Sequence, residues 1–387
     1  MRMATLLRQT TAVAAIGLGA VLAGTPAAQA GFYVQTNLVS DIAGLGVITD
    51  PVLKNSWGVS ESPTSPFWVS DQGTNVTTLY SVSGASTVAK VNINPPIGNV
   101  AIPTTGAGPQ GPTGQVNNTN TTAFLVGNGG NGQFAHFIFA NLNGTISAWD
   151  TGTTAFVQHT TTGAIYTGLA IDSVSNRLYA ADGAQNRIDV FDHSFAPVSL
   201  PGAFVNPNLP PGLVPFNVQN IGGRIYVTYA AAGGRPAQIA APEGSGAVAV
   251  FDTDGNFISQ VVSGSKLASP WGITLAPSTF GDFANDLLVG NFSFVASEIN
   301  AFDPTTGALE GTINVDPGAG NLPGGLWALS FGNGGSGGSP NILYFTDGIN
   351  NERDGLFGSL TVPEPSSMLL LAPFLGLAAL RRGRRQG

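Results

Sequence analysis

Residues 178–192 read LYAADGAQNRIDVFD. Two short runs of apolar and aromatic residues, 178–181 and 188–191, are separated by a stretch rich in Gly, Asp and Asn. Runs of this length between turn-forming residues are typical of β-strands, and each run closes on an Asp. The stretch therefore predicts two neighbouring strands of a small antiparallel sheet.

The same pattern recurs along the chain. A run that ends in a small or polar step, the second strand of each unit, occurs six times, at residues 67–71, 137–141, 178–182, 225–229, 287–291 and 343–347. Third strands close on an aromatic-Asp pair, at Trp149-Asp150, Phe191-Asp192, Phe251-Asp252 and Phe302-Asp303. These pairs are spaced by 42, 60 and 51 residues. Units of four strands at a period near fifty predict an all-β fold, a six-bladed β-propeller.

First strands are expected at residues 56–59, 167–170, 216–218, 270–273 and 326–329. The last unit has only three strands, and residues 32–39 can supply the fourth and close the ring. Three stretches rich in Gly, Ala, Thr, Asn or Pro, residues 104–122, 230–246 and 332–340, are expected to be loops on the faces.

The amino terminus has Arg2 and Arg8 before an uncharged apolar run that closes on Ala28-Gln29-Ala30. This layout predicts a signal peptide at 1–30, cleaved after Ala30, which leaves 31–362 as the folded domain. A first membrane helix is the alternative, but the stretch is short and contains Gly and Pro.

The carboxyl terminus, 363–387, carries Pro363-Glu364-Pro365, then an apolar run at 368–380 and the arginines Arg381, Arg382, Arg384 and Arg385. A short apolar helix followed by basic residues predicts a transient inner-membrane anchor with its arginines in the cytoplasm. This three-part order resembles the PEP-CTERM sorting signal of Gram-negative bacteria. The resemblance implies an exosortase-type membrane protease as a partner, whereas an ordinary tail anchor is the alternative. The domain is then expected at the cell surface or outside the cell.

Composition limits the ligands of the domain. Residues 31–362 hold 21 acidic residues against 8 basic ones, which leaves a formal net charge of −13. Because nucleic acids require the opposite charge, they are not expected as partners. The chain has no cysteine, so no disulfide supports the exported domain.

Several stretches of the chain resemble the sequence repeats of known propeller families. Residues 178–192 are similar to the repeat of NHL and gluconolactonase-type six-bladed propellers. The chain resembles more fully an uncharacterised family of exported bacterial β-propellers, through residues 67–71, 144–147, 214–220, 270–272, 288–292 and 355–358. Gluconolactonase-type enzymes hold a metal through Glu, Asn and Asp at the openings of the inner strands. The matching positions here, Ser56, Thr113, Thr167, Phe216, Trp271 and Leu326 or Trp327, include no carboxylate.

Seven residues are candidates for ligand binding: Trp57, Asp71, Asn217, Trp271, Asn291, Trp327 and Asp347. The tryptophans could stack on sugar rings at the channel mouth, or pack between blades. The Asx residues at second-strand ends could converge on a cation or a sugar, or could make local turns. No catalytic or metal-binding residue is assigned, and calcium is the one cofactor left open.

The sequence therefore favours a non-enzymatic exported protein that binds exopolysaccharide or another surface glycan. A metal-dependent hydrolase or lactonase using Asp71, Asn291 and Asp347 is the alternative.

Overall fold

The computed structural model describes residues 33–93, 98–105 and 108–363. Within them the chain forms six sheets, antiparallel except for one short parallel pair, arranged as blades around a central channel, and the predicted six-bladed β-propeller is confirmed. The predicted signal peptide and the predicted apolar C-terminal helix lie outside the described residues, as does all of the sorting signal except Pro363. Of the helices in the described part, none has the length and apolar character that a membrane crossing requires.

The strands follow one another blade by blade. Strands β1 (Val34–Ser40) and β2 (Ile48–Thr49) belong to the last blade. Blade 1 contains β3 (Ser56–Ser60), β4 (Phe67–Asp71), β5 (Val76–Ser83), β6 (Thr87–Lys90) and β7 (Asn99–Ala101). Blade 2 contains β8 (Pro112–Asn117), β9 (Phe137–Asn141), β10 (Thr145–Trp149) and β11 (Phe156–Thr160). Blade 3 contains β12 (Tyr166–Asp172), β13 (Arg177–Asp182), β14 (Arg187–Phe191) and β15 (Pro197–Val198).

The second half repeats the arrangement. Blade 4 contains β16 (Leu213–Ile221), β17 (Arg224–Ala231), β18 (Ala247–Phe251) and β19 (Phe257–Ser263), with a short helix, α1 (Arg235–Ile239), between β17 and β18. Blade 5 contains β20 (Pro270–Leu275), β21 (Leu287–Asn291), β22 (Glu298–Phe302) and β23 (Leu309–Asn314). Blade 6 contains β24 (Leu326–Phe331), β25 (Leu343–Asp347) and β26 (Leu356–Thr361). Short helical turns lie at Gln72–Thr74, Gly281–Phe283 and Ile349–Glu352.

Closure of the ring follows the prediction. Strand β1 pairs antiparallel with β26, from Val34 opposite Thr361 to Ser40 opposite Leu356, and becomes the fourth strand of blade 6. Lys54 adds an ion pair to Asp41, and its ammonium lies 3.3 Å from Asp354 of blade 6. Pairing the first and last strands removes a free sheet edge and joins the two ends of the domain.

Small residues allow the inner strands to converge. A Cβ on Gly114 would lie 2.3 Å from the backbone nitrogen of Leu169, and one on Gly272 would lie 2.3 Å from the carbonyl oxygen of Trp327. Neighbouring inner strands are also joined by side chains, since the Thr113 hydroxyl donates to the carbonyl of Tyr166 at 2.8 Å. The channel wall is therefore tightly packed backbone.

Two expectations for loops are wrong. Residues 104–122 contain β8, the inner strand of blade 2, and residues 230–246 contain α1 as well as the end of β17. Strand β8 was missed because its residues, PTGQVN, are polar and small. The other five inner strands each contain a Trp, Tyr, Phe or Leu, and β8 contains none, so no hydrophobic run marks it.

Candidate functional site

The channel has two mouths that differ in chemistry. We call the face where the inner strands begin the start face, and the face where they end the end face. The candidates Trp57, Trp271 and Trp327 lie at the openings of β3, β20 and β24, and therefore at the start face. Polar residues at the ends of the same strands surround the other mouth.

The three tryptophans meet at the start face. The rings of Trp57 and Trp327 stack with centroids 3.6 Å apart, and Trp271 approaches both edge-on at 6.2 and 5.6 Å. Phe216 and Phe292 complete the cluster, and Phe292 stacks on Trp327 at 4.4 Å. All five rings are buried. The tryptophans thus lie at the openings of inner strands and pack against each other, with little of any ring exposed to solvent.

The Asx candidates lie elsewhere in the blades. Asn291 accepts the amide hydrogen of Ala268 at 2.9 Å and donates to the carbonyl of Lys266 at 2.8 Å, so it orders the chain before β20. Asn141 and Asp182 accept from Gly111 and Ile165 in the same way, at 3.1 Å each. These three residues therefore hold the turn before the inner strand of their own blade.

Asp71 and Asp347 are buried, and burial raises the pKa of each well above its usual value. Both oxygens of Asp71 and Oδ1 of Asp347 lack a hydrogen-bond partner among the described residues. Asp71 interacts with Thr78, Asp50 and Lys90 of the blade 1 region. Across the described part of the chain, no group of three or more His, Cys, Asp and Glu could hold a metal ion.

Asn217 is the one predicted Asx residue on the channel wall. Its side-chain amide donates to the carbonyl of Trp271 at 2.8 Å and joins blade 4 to blade 5. Asn217 and Trp271 also line a small internal cavity of about 40 Å³ together with Gln115 and Ser330. That cavity continues toward the end face, since Gln115 and Ser330 line the pocket there as well.

The end-face pocket has a volume of about 410 Å³, within the usual size range of small-molecule sites, and its lining mixes polar and apolar residues. It is lined by Ser60, Glu61, Gln115, Gln219, Ser330 and Asn333, among others. The Ser330 hydroxyl donates to Oε1 of Glu61 at 3.4 Å. Burial raises the pKa of Glu61 to about 8, so the carboxyl group is largely neutral at pH 7 and can donate a hydrogen bond.

Three polar atoms of the end-face pocket are unsatisfied. Oγ of Ser60, Oε2 of Glu61 and Oε1 of Gln115 are shielded from solvent and have no partner among the described residues. The Gln115 amide nitrogen donates to the carbonyls of Gly58 and Trp68, both at 2.8 Å, which leaves Oε1 as a free acceptor. Buried polar groups without partners are rare in folded proteins, so such a group requires an explanation such as a ligand or ordered water.

Sequence reasoning missed this pocket. A lone Glu61 in a loop carries no motif, and Gln115 and Ser330 come from blades far apart in the chain. A signal was nevertheless present, because Ser60, Gln115 and Ser330 lie on inner strands that otherwise consist largely of small and apolar residues. Aligning the inner strands of the repeats would have placed these polar side chains near one level of the channel.

Comparisons with known proteins agree with the fold. No protein-family model matches the chain. It is similar to the uncharacterised protein R648 of Acanthamoeba polyphaga mimivirus, with 28% identity over 338 residues, which cover 84% of this chain and 78% of the viral protein. A virginiamycin B lyase from Staphylococcus aureus has a similar structure, with a TM-score of 0.50 and 11% identity over 86% of this chain and 99% of the lyase.

A gluconolactonase from Xanthomonas campestris is a more distant neighbour, with a TM-score of 0.40 and 18% identity over 59% of this chain and 82% of the enzyme. At these identities structural likeness shows the fold alone. The chain is therefore a six-bladed β-propeller whose structural neighbours include a virginiamycin B lyase.

Proposed function

We propose that this protein is a non-catalytic binding protein that takes a neutral, polyhydroxylated ligand, a glycan, in its end-face pocket. The observation that carries the proposal is the set of three unsatisfied polar atoms on Ser60, Glu61 and Gln115. Together they offer a hydroxyl, a carboxylic acid and an amide oxygen. A sugar hydroxyl both donates and accepts hydrogen bonds, so it can satisfy all three types.

The charge of the pocket favours a neutral ligand. Glu61 is the only ionisable residue among those that line it, and no Lys or Arg is present there. With its pKa raised to about 8, Glu61 adds little charge at neutral pH. The pocket lining has no basic side chain to pair with a phosphate or carboxylate ligand. It also has no carboxyl group that is largely ionised at neutral pH and could pair with a cation.

Location is proposed from the two ends of the sequence. Arg2, the apolar run and Ala28-Gln29-Ala30 support export, and the Pro363-Glu364-Pro365 tail with its arginines supports processing by an exosortase-type protease. The segment would anchor the chain in the inner membrane during transit. The released or retained domain would then meet exopolysaccharide or another surface glycan.

The test is equilibrium binding of the purified protein to a panel of neutral and charged glycans. We expect a neutral glycan to bind and Glu61→Ala to weaken that binding about tenfold or more, as expected for a lost buried hydrogen bond. Glu310→Ala, which removes an exposed acid from β23, is the matched control. No binding by any neutral glycan, or equal binding by Glu61→Ala, would contradict the proposal.

A further inference from the structure

The guanidinium group of Arg235 covers the aromatic cluster at the start face. Its central carbon lies 4.3 Å from the ring centroid of Phe292, 5.0 Å from that of Trp327 and 5.3 Å from that of Trp57. We call these three rings the aromatic platform. All three are buried beneath it. Convergence of several aromatic faces on one cation is the arrangement that proteins use to bind organic cations.

Arg235 is held over the platform by a counter-charge from another blade. Its guanidinium forms an ion pair with Glu352, in the turn between β25 and β26. That turn has left-handed backbone dihedrals at Asn350, Asn351 and Glu352, with φ of 56°, 60° and 63°. Left-handed conformations are costly for residues other than glycine, so the turn that presents Glu352 is under strain.

Two glycines precede the helix that carries Arg235. Gly233 and Gly234 precede α1 with φ of 108° and 70°, values that glycine adopts freely. The other end of α1 is anchored, because the amide of Phe294 donates to the carbonyl of Ile239 at 3.1 Å. The Arg235 side chain itself keeps 33% of its surface exposed. Rotation at the two glycines would lift Arg235 from the platform while Ile239 stays in place.

The platform also has an unused donor. The indole nitrogen Nε1 of Trp57 is shielded from solvent and lacks an acceptor among the described residues. Arg235 has no acceptor in its guanidinium group, so the present occupant cannot satisfy this donor. A ligand that carries a carbonyl beside its cation could satisfy both.

We propose that the aromatic platform is a binding site for a guanidinium-bearing ligand, such as an arginine side chain of a peptide, and that Arg235 is its displaceable internal occupant. Glu352 supplies the counter-charge for either guanidinium. The acidic character of the chain, with a formal net charge of −8, favours the approach of a cation. This site is separate from the end-face pocket, which lies at the opposite mouth of the channel.

The experiment is titration of the full chain with N-acetylarginine amide, with binding measured by tryptophan fluorescence and by calorimetry. Its uncharged analogue, N-acetylcitrulline amide, has nearly the same shape and is the control ligand. Arg235→Ala empties the platform, and Glu352→Gln removes the counter-charge that either guanidinium would use, without shortening the side chain. Arg224→Ala, which removes an exposed arginine from the same blade, is the control variant.

We expect Arg235→Ala to bind the arginine derivative at least tenfold more tightly than either the unmodified protein or Arg224→Ala. We expect no binding of the citrulline derivative by Arg235→Ala. If Arg235→Ala does not fold, Arg235→Gln, which keeps part of the side chain without the positive charge, gives the same comparison. Adding Glu352→Gln to either variant should weaken binding of the arginine derivative, because the counter-charge is lost. The proposal is overturned if the folded Arg235 variants bind neither ligand, or bind both equally. Glu61→Ala should leave this binding unchanged, so failure here and failure of the glycan proposal are distinguishable.

Discussion

The indole N–H of Trp271 donates to the carbonyl oxygen of Thr167 at 2.8 Å and so links blade 5 to blade 3 across the channel. Blade 4 lies between them in the chain, and its Asn217 in turn holds the carbonyl of Trp271. Both bonds are buried. The narrow part of the channel is therefore stabilised by side chains that bridge blades, in addition to the contacts of neighbouring strands.

Replacing Trp271 should destabilise the ring. We expect Trp271→Phe to lower the free energy of unfolding by about 2–4 kcal/mol, because it leaves the Thr167 carbonyl unpaired and opens space beside Trp57 and Trp327. Urea unfolding followed by circular dichroism measures this change. Trp149→Phe loses an exposed hydrogen bond to Gly152 and should cost about 1 kcal/mol or less. Equal losses for the two variants would show that the bridge has no special role.

Closure of the ring by β1 predicts that buried and exposed residues of this strand contribute differently to stability. Leu38 of β1 is fully buried among residues of blades 1 and 6. Leu38→Ala should therefore cost about 2–5 kcal/mol. Val34 lies at the exposed start of the same strand, and Val34→Ala should cost less than about 0.5 kcal/mol. Melting temperatures of the two variants test this, and a large loss for Val34→Ala alone would contradict closure in the observed register.

The second strands were the most predictable part of the fold. Residues such as 178–182 and 343–347 combine an apolar run with an Asx end, and the structure places strands there within one residue. Strand β8 could not be found in this way, because Thr113, Gly114 and Gln115 satisfy the tight geometry of the channel and not a hydrophobic pattern. Local sequence thus indicated all six second strands and five of the six inner strands, and it failed at the inner strand that has no hydrophobic run.

The residues of the candidate site were predicted only in part. Trp57, Trp271 and Trp327 could be placed at the channel mouth because each opens an inner strand. Arg235 could not, since its contact with them depends on the path of the loop after β17. Glu61 was missed because its pocket is assembled from five of the six blades, and no residue near it in sequence signals the partners.

Protonation of Glu61 predicts how stability depends on pH. Its pKa is about 8 in the folded protein and about 4.3 in an unfolded chain. The folded state therefore binds more protons between these values, and its stability decreases as pH rises through that range. Glu61→Gln lacks this titration, so the difference in unfolding free energy between the two proteins should shift in favour of Glu61→Gln from pH 5 to pH 8.5. A constant difference would show that Glu61 is ionised normally.

The proposed processing predicts the fate of the C-terminal tail. An epitope tag placed after Gly387 should be lost from the exported protein in a bacterium that has an exosortase. Replacing Pro363-Glu364-Pro365 with three alanines should preserve the tag, because the cleavage signal is gone, and an immunoblot of cell fractions distinguishes the two. Retention of the tag on the unaltered chain would contradict processing while leaving the fold unaffected.

The most direct test of glycan binding in the end-face pocket compares two affinities for one neutral glycan. The affinities of the unaltered protein and of Glu61→Gln are measured at pH 6.5 and at pH 9.5. Because the neutral carboxyl donates a hydrogen bond and the carboxylate cannot, the unaltered protein should bind several-fold more weakly at the higher pH. Glu61→Gln, whose amide remains a donor, should bind about equally at both. Affinities that fall in parallel for the two proteins, or that do not change for either, would contradict a role for Glu61 in recognising the ligand.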